Sequence, residues 1–254
     1  MRSHSKIKMK GVILAGGLGT RLYPLTHATN KHLFPVYDRP MIFYPIQTLL
    51  KAGIRDIMIV VGGPHAGHFM SVLKNGKELG IRHLEFAYQE SIQRNGVKVE
   101  GGIAHALSLC EDFAPHSSVA VILGDNTTDA DISGPVREFK EGAMVFLKEV
   151  PDPNRFGVPV FSKKEKGKII AIEEKPKHPK SNYAITGLYL YDHTVFDRIR
   201  ALTPSARGEL EVTDLNNSYI KDSMLKSSEL NGFWTDAGTF ESLFRANEYW
   251  AHRK

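Results

Sequence analysis

The stretch Gly11-Val-Ile-Leu-Ala-Gly-Gly-Leu-Gly-Thr-Arg-Leu22 is an apolar run that breaks into a loop with glycines at 16, 17 and 19. An apolar run of this kind, stopped by glycine, reads as a strand covered on both faces, the kind a parallel sheet contains. Working outward, further strands are expected near residues 56–61, 85–88, 119–123, 144–150, 168–173 and 183–191, with 10–14 as the first and a short one near 229–234. Helical spacing falls between them at 41–52, 67–79, 104–112, 135–140, 194–202, 212–222 and 240–252. Pro40 suits the entry to the first of these helices and Gly53 its exit. The alternation predicts an α/β fold with a mainly parallel central sheet flanked by helices. In the stretch 151–179 the character changes, because the β-rich pieces 156–161 and 168–173 flank a charged turn at 162–167 as a hairpin would.

Composition narrows the class. With 254 residues, 42% of them hydrophobic and 24% charged, the chain can bury a sizeable core. It shows no apolar run of membrane-spanning length and no secretory leader pattern, so a cytoplasmic protein without membrane attachment is expected. The net charge of +5 lies largely in the ends MRSHSKIKMK and HRK, and no zinc-finger spacing or aromatic-interleaved basic motif accompanies it, which argues against a nucleic-acid partner. Residues 1–8 read as a disordered or tag-like tail ahead of one domain spanning 9–254. The single cysteine, Cys110, lies in an apolar helical run and reads as a core side chain.

The glycine loop carries the chemistry. Glycine allows positive φ and a close approach of backbone N–H groups, which a phosphate tail needs. For a dinucleotide fingerprint starting at Gly17, the third glycine would fall at position 22, which is Leu22, and no ribose-binding acid follows at the expected offset. A Walker A loop would close on Gly-Lys-Ser/Thr, also missing. The loop instead carries Arg21, a guanidinium fork suited to bidentate phosphate contact, and Asn30-Lys31-His-Leu-Phe-Pro adds a second cation at Lys31.

Farther on, Val121-Ile-Leu-Gly-Asp125-Asn126 ends a buried strand on an acid, where an open α/β sheet faces its ligand crevice. Gly232-Phe-Trp-Thr-Asp236-Ala-Gly-Thr239 offers a second carboxylate in a tight turn. Three more pieces bear charge beside glycine or strand ends: Arg155-Phe156-Gly157-Val158, Glu173-Glu174-Lys175-Pro176 and Arg207-Gly-Glu-Leu-Glu-Val-Thr213. Glu174 can accept from hydroxyls, while Lys175 and Arg207 can hold a phosphate. His65 and His68, three residues apart, have metal-ligand spacing but no third ligand in sequence, and His27 and His32 read as residues that support the loop from behind or lie at the surface.

These motifs together resemble the glucose-1-phosphate thymidylyltransferase family, within the wider sugar nucleotidyltransferases, over nearly the whole chain from Met9. The resemblance implies a Rossmann-like nucleotidyltransferase fold, with 9–150 mainly on the nucleotide side, 151–239 mainly on the sugar-phosphate side, and 240–254 as a C-terminal helix. It implies that Leu14, Gly16, Gly17, Gly19, Thr20, Gln89 and Gly102 bind the nucleotide, and that Gly157, Glu174, Lys175 and Arg207 bind the sugar phosphate. Arg21, Lys31, Asp125 and Lys175 are the implied catalytic residues, with Mg²⁺ on Asp125 and Asp236. The implied reaction joins dTTP to glucose 1-phosphate and releases pyrophosphate, in a homo-oligomer that is a tetramer or dimer. His105 stands where the family carries Gln, and the segment 90–100 is longer than the family pattern, so UTP and CTP stay open beside dTTP. A non-catalytic sugar-nucleotide sensor of the same fold is the alternative from another class. Longer family members carry extra C-terminal helices that help form a feedback site, and weak or absent feedback inhibition is expected for a chain that stops after 240–252.

Overall fold

Successive residues of the first strand must alternate between the two faces of a sheet, so a strand apolar at every position needs cover on both sides. In the computed structural model, which describes residues 9–90, 92–94, 97–99, 101–205 and 208–253, that cover is present. Val12 and Leu14 join an apolar cluster on one face, and Ile13 and Ala15 join a second cluster on the other. The expected tail at 1–8 lies outside the described residues.

In chain order the elements are β1 (Lys10–Ala15), β2 (Pro35–Val36), β3 (Arg39–Pro40), α1 (Phe43–Lys51), β4 (Asp56–Gly62), α2 (Ala66–Leu73), β5 (His83–Gln89), β6 (Ile92–Arg94), β7 (Val97–Val99), α3 (Ile103–Ser108), β8 (Val119–Leu123) and β9 (Asn126–Thr128). There follow α4 (Ser133–Glu138), β10 (Ala143–Glu149), β11 (Gly157–Phe161), β12 (Ile169–Glu174), β13 (Tyr183–Tyr191), α5 (Val195–Arg200), α6 (Val212–Lys221), β14 (Leu225–Glu229), β15 (Trp234–Asp236) and α7 (Phe240–Ala251). Nine strands form one sheet in the order β12-β11-β13-β8-β1-β4-β5, with β10 beside β13 and β14 beyond it. The strands β8, β1, β4 and β5 run parallel, and the antiparallel pairings gather around β13 and the β11–β12 hairpin. One face packs on α3, α5 and α6 through Leu107, Ile199 and Leu215, the other on α1 and α2 through Ile46, Leu49 and Phe69. Each such side chain, fully removed from water, stabilises the fold by about 1.5–3 kcal/mol.

Strand β13 positions the site. Strand β10 runs antiparallel along one edge of it, from Tyr191 to Tyr183. The other edge is divided: Leu188–Tyr191 pair with β8, and Ile185 pairs with Gly157 of β11. The sheet therefore opens where β8 stops and β11 begins, and such a switch point leaves a crevice at the carboxyl ends of the strands.

Two expected elements are corrected. The strand near 229–234 is a turn between β14 and β15, because Gly232 takes φ 104° and breaks any extended run there. The helix expected over 67–79 stops at Leu73, where Lys74 and Gly76 both take positive φ, and resumes as a short 3-10 turn at Lys77–Leu79. Among the described residues no helix is long and apolar enough to cross a membrane.

Candidate active site

The crevice at the switch point encloses about 610 Å3, within the usual range of small-molecule sites. Of the residues expected to bind a nucleotide, Leu14, Gly16, Gly17, Thr20, Gln89 and Gly102 line it. Of those expected to bind a sugar phosphate, Gly157, Glu174 and Lys175 line it, as do Arg21, Lys31, Asp125 and Asp236. Gly19 does not reach the wall: at φ 67° it turns the chain, and a Cβ there would meet the Lys31 stem at 3.1 Å. Arg207 lies outside the described residues.

The two acids come from segments far apart in sequence and are brought together by a three-residue ladder. Strand β15 pairs antiparallel with β9, setting Asp236 opposite Asn126, and Ala237 N donates to Asp125 O at 2.7 Å. Asn126 fixes the junction: its Oδ1 accepts from Gly187 N at 3.0 Å and from Trp234 Nε1 at 2.7 Å, while its Nδ2 donates to Asp125 Oδ1 at 3.1 Å. Thr239 and Ser242 then form a reciprocal capping box that starts α7 and ends the acidic turn. A methyl group built on Gly238 would lie 2.8 Å from Arg21 Nη2, 3.3 Å from Asp125 Oδ2 and 3.6 Å from Asp236 Oδ2. One guanidinium and two carboxylates thus surround a single point, and glycine at 238 keeps it open.

The acids differ in state. Burial alone would raise Asp125, but the Lys31 ammonium 2.6 Å from Oδ2 and the Asn126 amide reverse this and hold it below the usual carboxylate range. Asp236 is pushed up to about 6, first by burial and then by the charge of Asp125, against the pull of Arg155 and Arg21. Arg155 Nη2 reaches both oxygens of Asp236, at 3.0 and 3.3 Å. His32, expected behind the loop or at the surface, is buried on the crevice wall with Nδ1 2.7 Å from Asn30 Oδ1. Burial, followed by the charge of Lys31, holds its imidazole down to about 3, so it is neutral near pH 7.

On the opposite wall, β12 ends at Glu174, whose Oε2 accepts from Thr213 Oγ1 at 2.6 Å. Lys175 follows at φ 44°, an unusual conformation for a residue with a side chain, and its Nζ stands 3.5 Å from Glu174 Oε1. At the glycine-loop end Gln89 Nε2 faces Gly102 O and His105 Nδ1, each at 3.4 Å. A Cβ on Gly16 would meet Gln89 Oε1 at 2.4 Å, so glycine there makes room for that amide. Gly102, at φ 86° and ψ 173°, takes a conformation open essentially to glycine alone, and any Cβ would strike Leu210 O at 2.6 Å.

The sequence reading missed the site positions of Asn126, Arg155, Thr213 and Tyr189, although it quoted the first three within motifs. Tyr189 is buried on β13 beside the crevice, and only its strand pairing places it there. His65 and His68 are neighbours with rings 5.1 Å apart, and His68 Nδ1 pairs with Thr29 Oγ1 at 2.9 Å. No cluster of three metal-ligating side chains occurs among the described residues.

A glycine loop facing paired acids across the open end of a Rossmann-like sheet defines a nucleotidyltransferase, and the Nucleotidyl transferase family model matches residues 10–253. The glucose-1-phosphate thymidylyltransferase of Neisseria gonorrhoeae is 43% identical over 95% of this chain and 82% of its own length. That of Xanthomonas campestris is 44% identical over 94% and 80%. Among solved structures, a Bacillus anthracis protein assigned as a glucose-1-phosphate thymidylyltransferase, crystallised with sucrose, superposes with a TM-score of 0.86 at 51% identity, covering 95% of this chain and 94% of that one. A UDP-glucose pyrophosphorylase complexed with UDP-glucose shares the fold at a TM-score of 0.81 and 22% identity, over 97% and 99%. The chain belongs to the glucose-1-phosphate thymidylyltransferase family of nucleotidyltransferases.

Proposed function

We propose that this protein transfers a thymidylyl group from dTTP to glucose 1-phosphate, giving dTDP-glucose and pyrophosphate. The observation that carries this reading is the convergence of Arg21, Asp125 and Asp236 on one point of a crevice whose opposite wall bears Glu174 and Lys175. The phosphate oxygen of the sugar phosphate forms a bond to the α-phosphorus of the triphosphate, and the bond to the β-phosphate oxygen breaks. The nucleophile is already an anion at neutral pH, so no general base is required. The obstacle is repulsion between two polyanions, and the protein meets it by positioning and charge neutralisation.

The donors suit a hard divalent ion: Asp125 and Asp236 meet beside Gly238 with carboxylate oxygens only, and two protein ligands leave positions for water and phosphate, as Mg²⁺ prefers. Mg²⁺ held by Asp125 and Asp236 would neutralise charge where the α-phosphate meets the acceptor phosphate. Gly16, Gly17 and Thr20 cradle the triphosphate with backbone N–H groups, Arg21 and Lys31 steady the departing pyrophosphate, and Lys175 orients the attacking phosphate. To act on phosphate, Lys31 must exchange the Asp125 oxygen that holds it at 2.6 Å.

With Gln89 Nε2 engaged by Gly102 O and His105, its Oε1 is left above Gly16 to accept from a base. Thymine and uracil present the same imide N–H, which makes UTP the second reading. Pyrophosphate release measured with Mg²⁺ over four triphosphates and several phosphosugars tests both. The proposal expects dTTP with glucose 1-phosphate to be fastest; no release from any pair would leave the sensor reading instead.

A further inference from the structure

Arg155 stands between two cavities. One is the crevice; the other, of about 740 Å3, lies outside it against Phe240 and Phe244 of α7 and includes Asp152. The 3-10 turn Pro153–Arg155 leads straight into β11, and the Phe156 ring packs edge-on against Trp234 at 5.5 Å. The turn carrying the arginine is thereby fixed against the strand carrying Asp236. The guanidinium is shared: Nη1 donates to Asp152 Oδ2 at 2.9 Å, and Nη2 donates to Asp236. The partners are not equivalent, since the Asp152 side chain is 37% exposed and that of Asp236 13%.

A cation bound by Asp236 and a guanidinium donating to the same two oxygens compete for lone pairs and repel one another. Asp152 offers the guanidinium a second carboxylate within its present reach. Resting on the reading of Asp236 as a divalent-cation ligand, we propose that Arg155 competes with that cation: it neutralises the buried Asp236 carboxylate before a divalent cation arrives, and yields that contact to the cation by withdrawing onto Asp152. Asp152 then sets how readily the arginine lets go. Removing the arginine favours cation binding, whereas removing Asp152 leaves the guanidinium to Asp236 alone and opposes it. A purely structural role for the two side chains would not produce opposite signs.

The test is Mn²⁺ binding to the full chain at pH 8 without nucleotide, with the free ion read by electron paramagnetic resonance. Asp236→Asn is expected to weaken binding at least about tenfold. Arg155→Met should tighten it about fivefold, Asp152→Asn should weaken it by a similar factor, and the double variant should follow Arg155→Met, because Asp152 acts through the arginine. Circular dichroism and melting temperature establish that each variant is folded, and Arg155→Gln replaces Arg155→Met if the latter is not. Unchanged or weaker binding in the arginine variant, or a shift of the same sign in Asp152→Asn, overturns the proposal. Equal binding by wild type and Asp236→Asn overturns the cation reading beneath it, and the proposal with it.

Discussion

Lys31 and Asp125 neutralise each other at 2.6 Å with side chains only 11% and 12% exposed, whereas Arg21 approaches the same acids from a more open position. The difference fits the separate tasks proposed for them: Lys31 holds the acid before substrate binds, and Arg21 keeps its charge for an incoming phosphate. Arg21→Ala is accordingly expected to lower turnover at least about a hundredfold, the loss of roughly 3 kcal/mol of transition-state stabilisation, with melting temperature unchanged. Near-normal turnover in folded protein would contradict the assignment. His32 makes a separate prediction about stability. Its imidazole is held down to about 3 in the fold against 6.5 when unfolded, so between those values the unfolded chain binds the extra proton and stability falls as pH falls. Between pH 6.5 and 5 this amounts to about 2 kcal/mol, and denaturant titrations should show a shallower fall in His32→Gln. The residue types at the crevice were legible because glycine, Arg21, Lys31 and the two acids each stand in a short motif with its own chemical logic. Tyr189 was not, because its place depends on which strand lies beside β13, and nothing local to it encodes that.

At the scale of elements, the ladder between β9 and β15 does what neither strand can do alone. Each strand is three residues long, too short for alternation to show, so the sequence reading found both acids and overlooked the pairing that joins them. The same shortness explains the misplaced strand near 229–234: the apolar letters around Phe233 and Trp234 belong to a turn and a ladder. The long elements, β1, β8, β13 and α7, were legible because burial on both faces leaves an unbroken apolar run in a strand and burial on one face leaves a helical period in α7. The loop-to-helix joint at Gly102 is sensitive to a single change. Gly102→Ala must adopt a glycine-only conformation and push Leu210 O from 2.6 Å, which is expected to cost at least about 2 kcal/mol and lower the melting temperature by some 4–8 °C. An unchanged melting temperature would show that the joint relaxes freely.

For the whole molecule, the decisive feature is the divided edge of β13, which places the glycine loop and β8 on one side of an opening and the β11–β12 hairpin on the other. The sequence predicted the two groups of elements, yet the division itself arises from register, which a single sequence does not display. Because the nucleotide is proposed to bind one side and the phosphosugar the other, dTTP with Mg²⁺ at about a hundred times its Kd should stabilise the fold by about 2.7 kcal/mol, raising the melting temperature by several degrees. Absence of any shift would argue against a nucleotide site in the crevice. In the proposed mechanism Asp125 and Asp236 share a divalent cation beside the triphosphate. Anomalous scattering from crystals soaked with Mn²⁺ and dTTP tests this: a peak is expected within about 2.5 Å of an oxygen from each carboxylate. Ordered nucleotide with no peak there, or a peak bound to only one of the two acids, would contradict it.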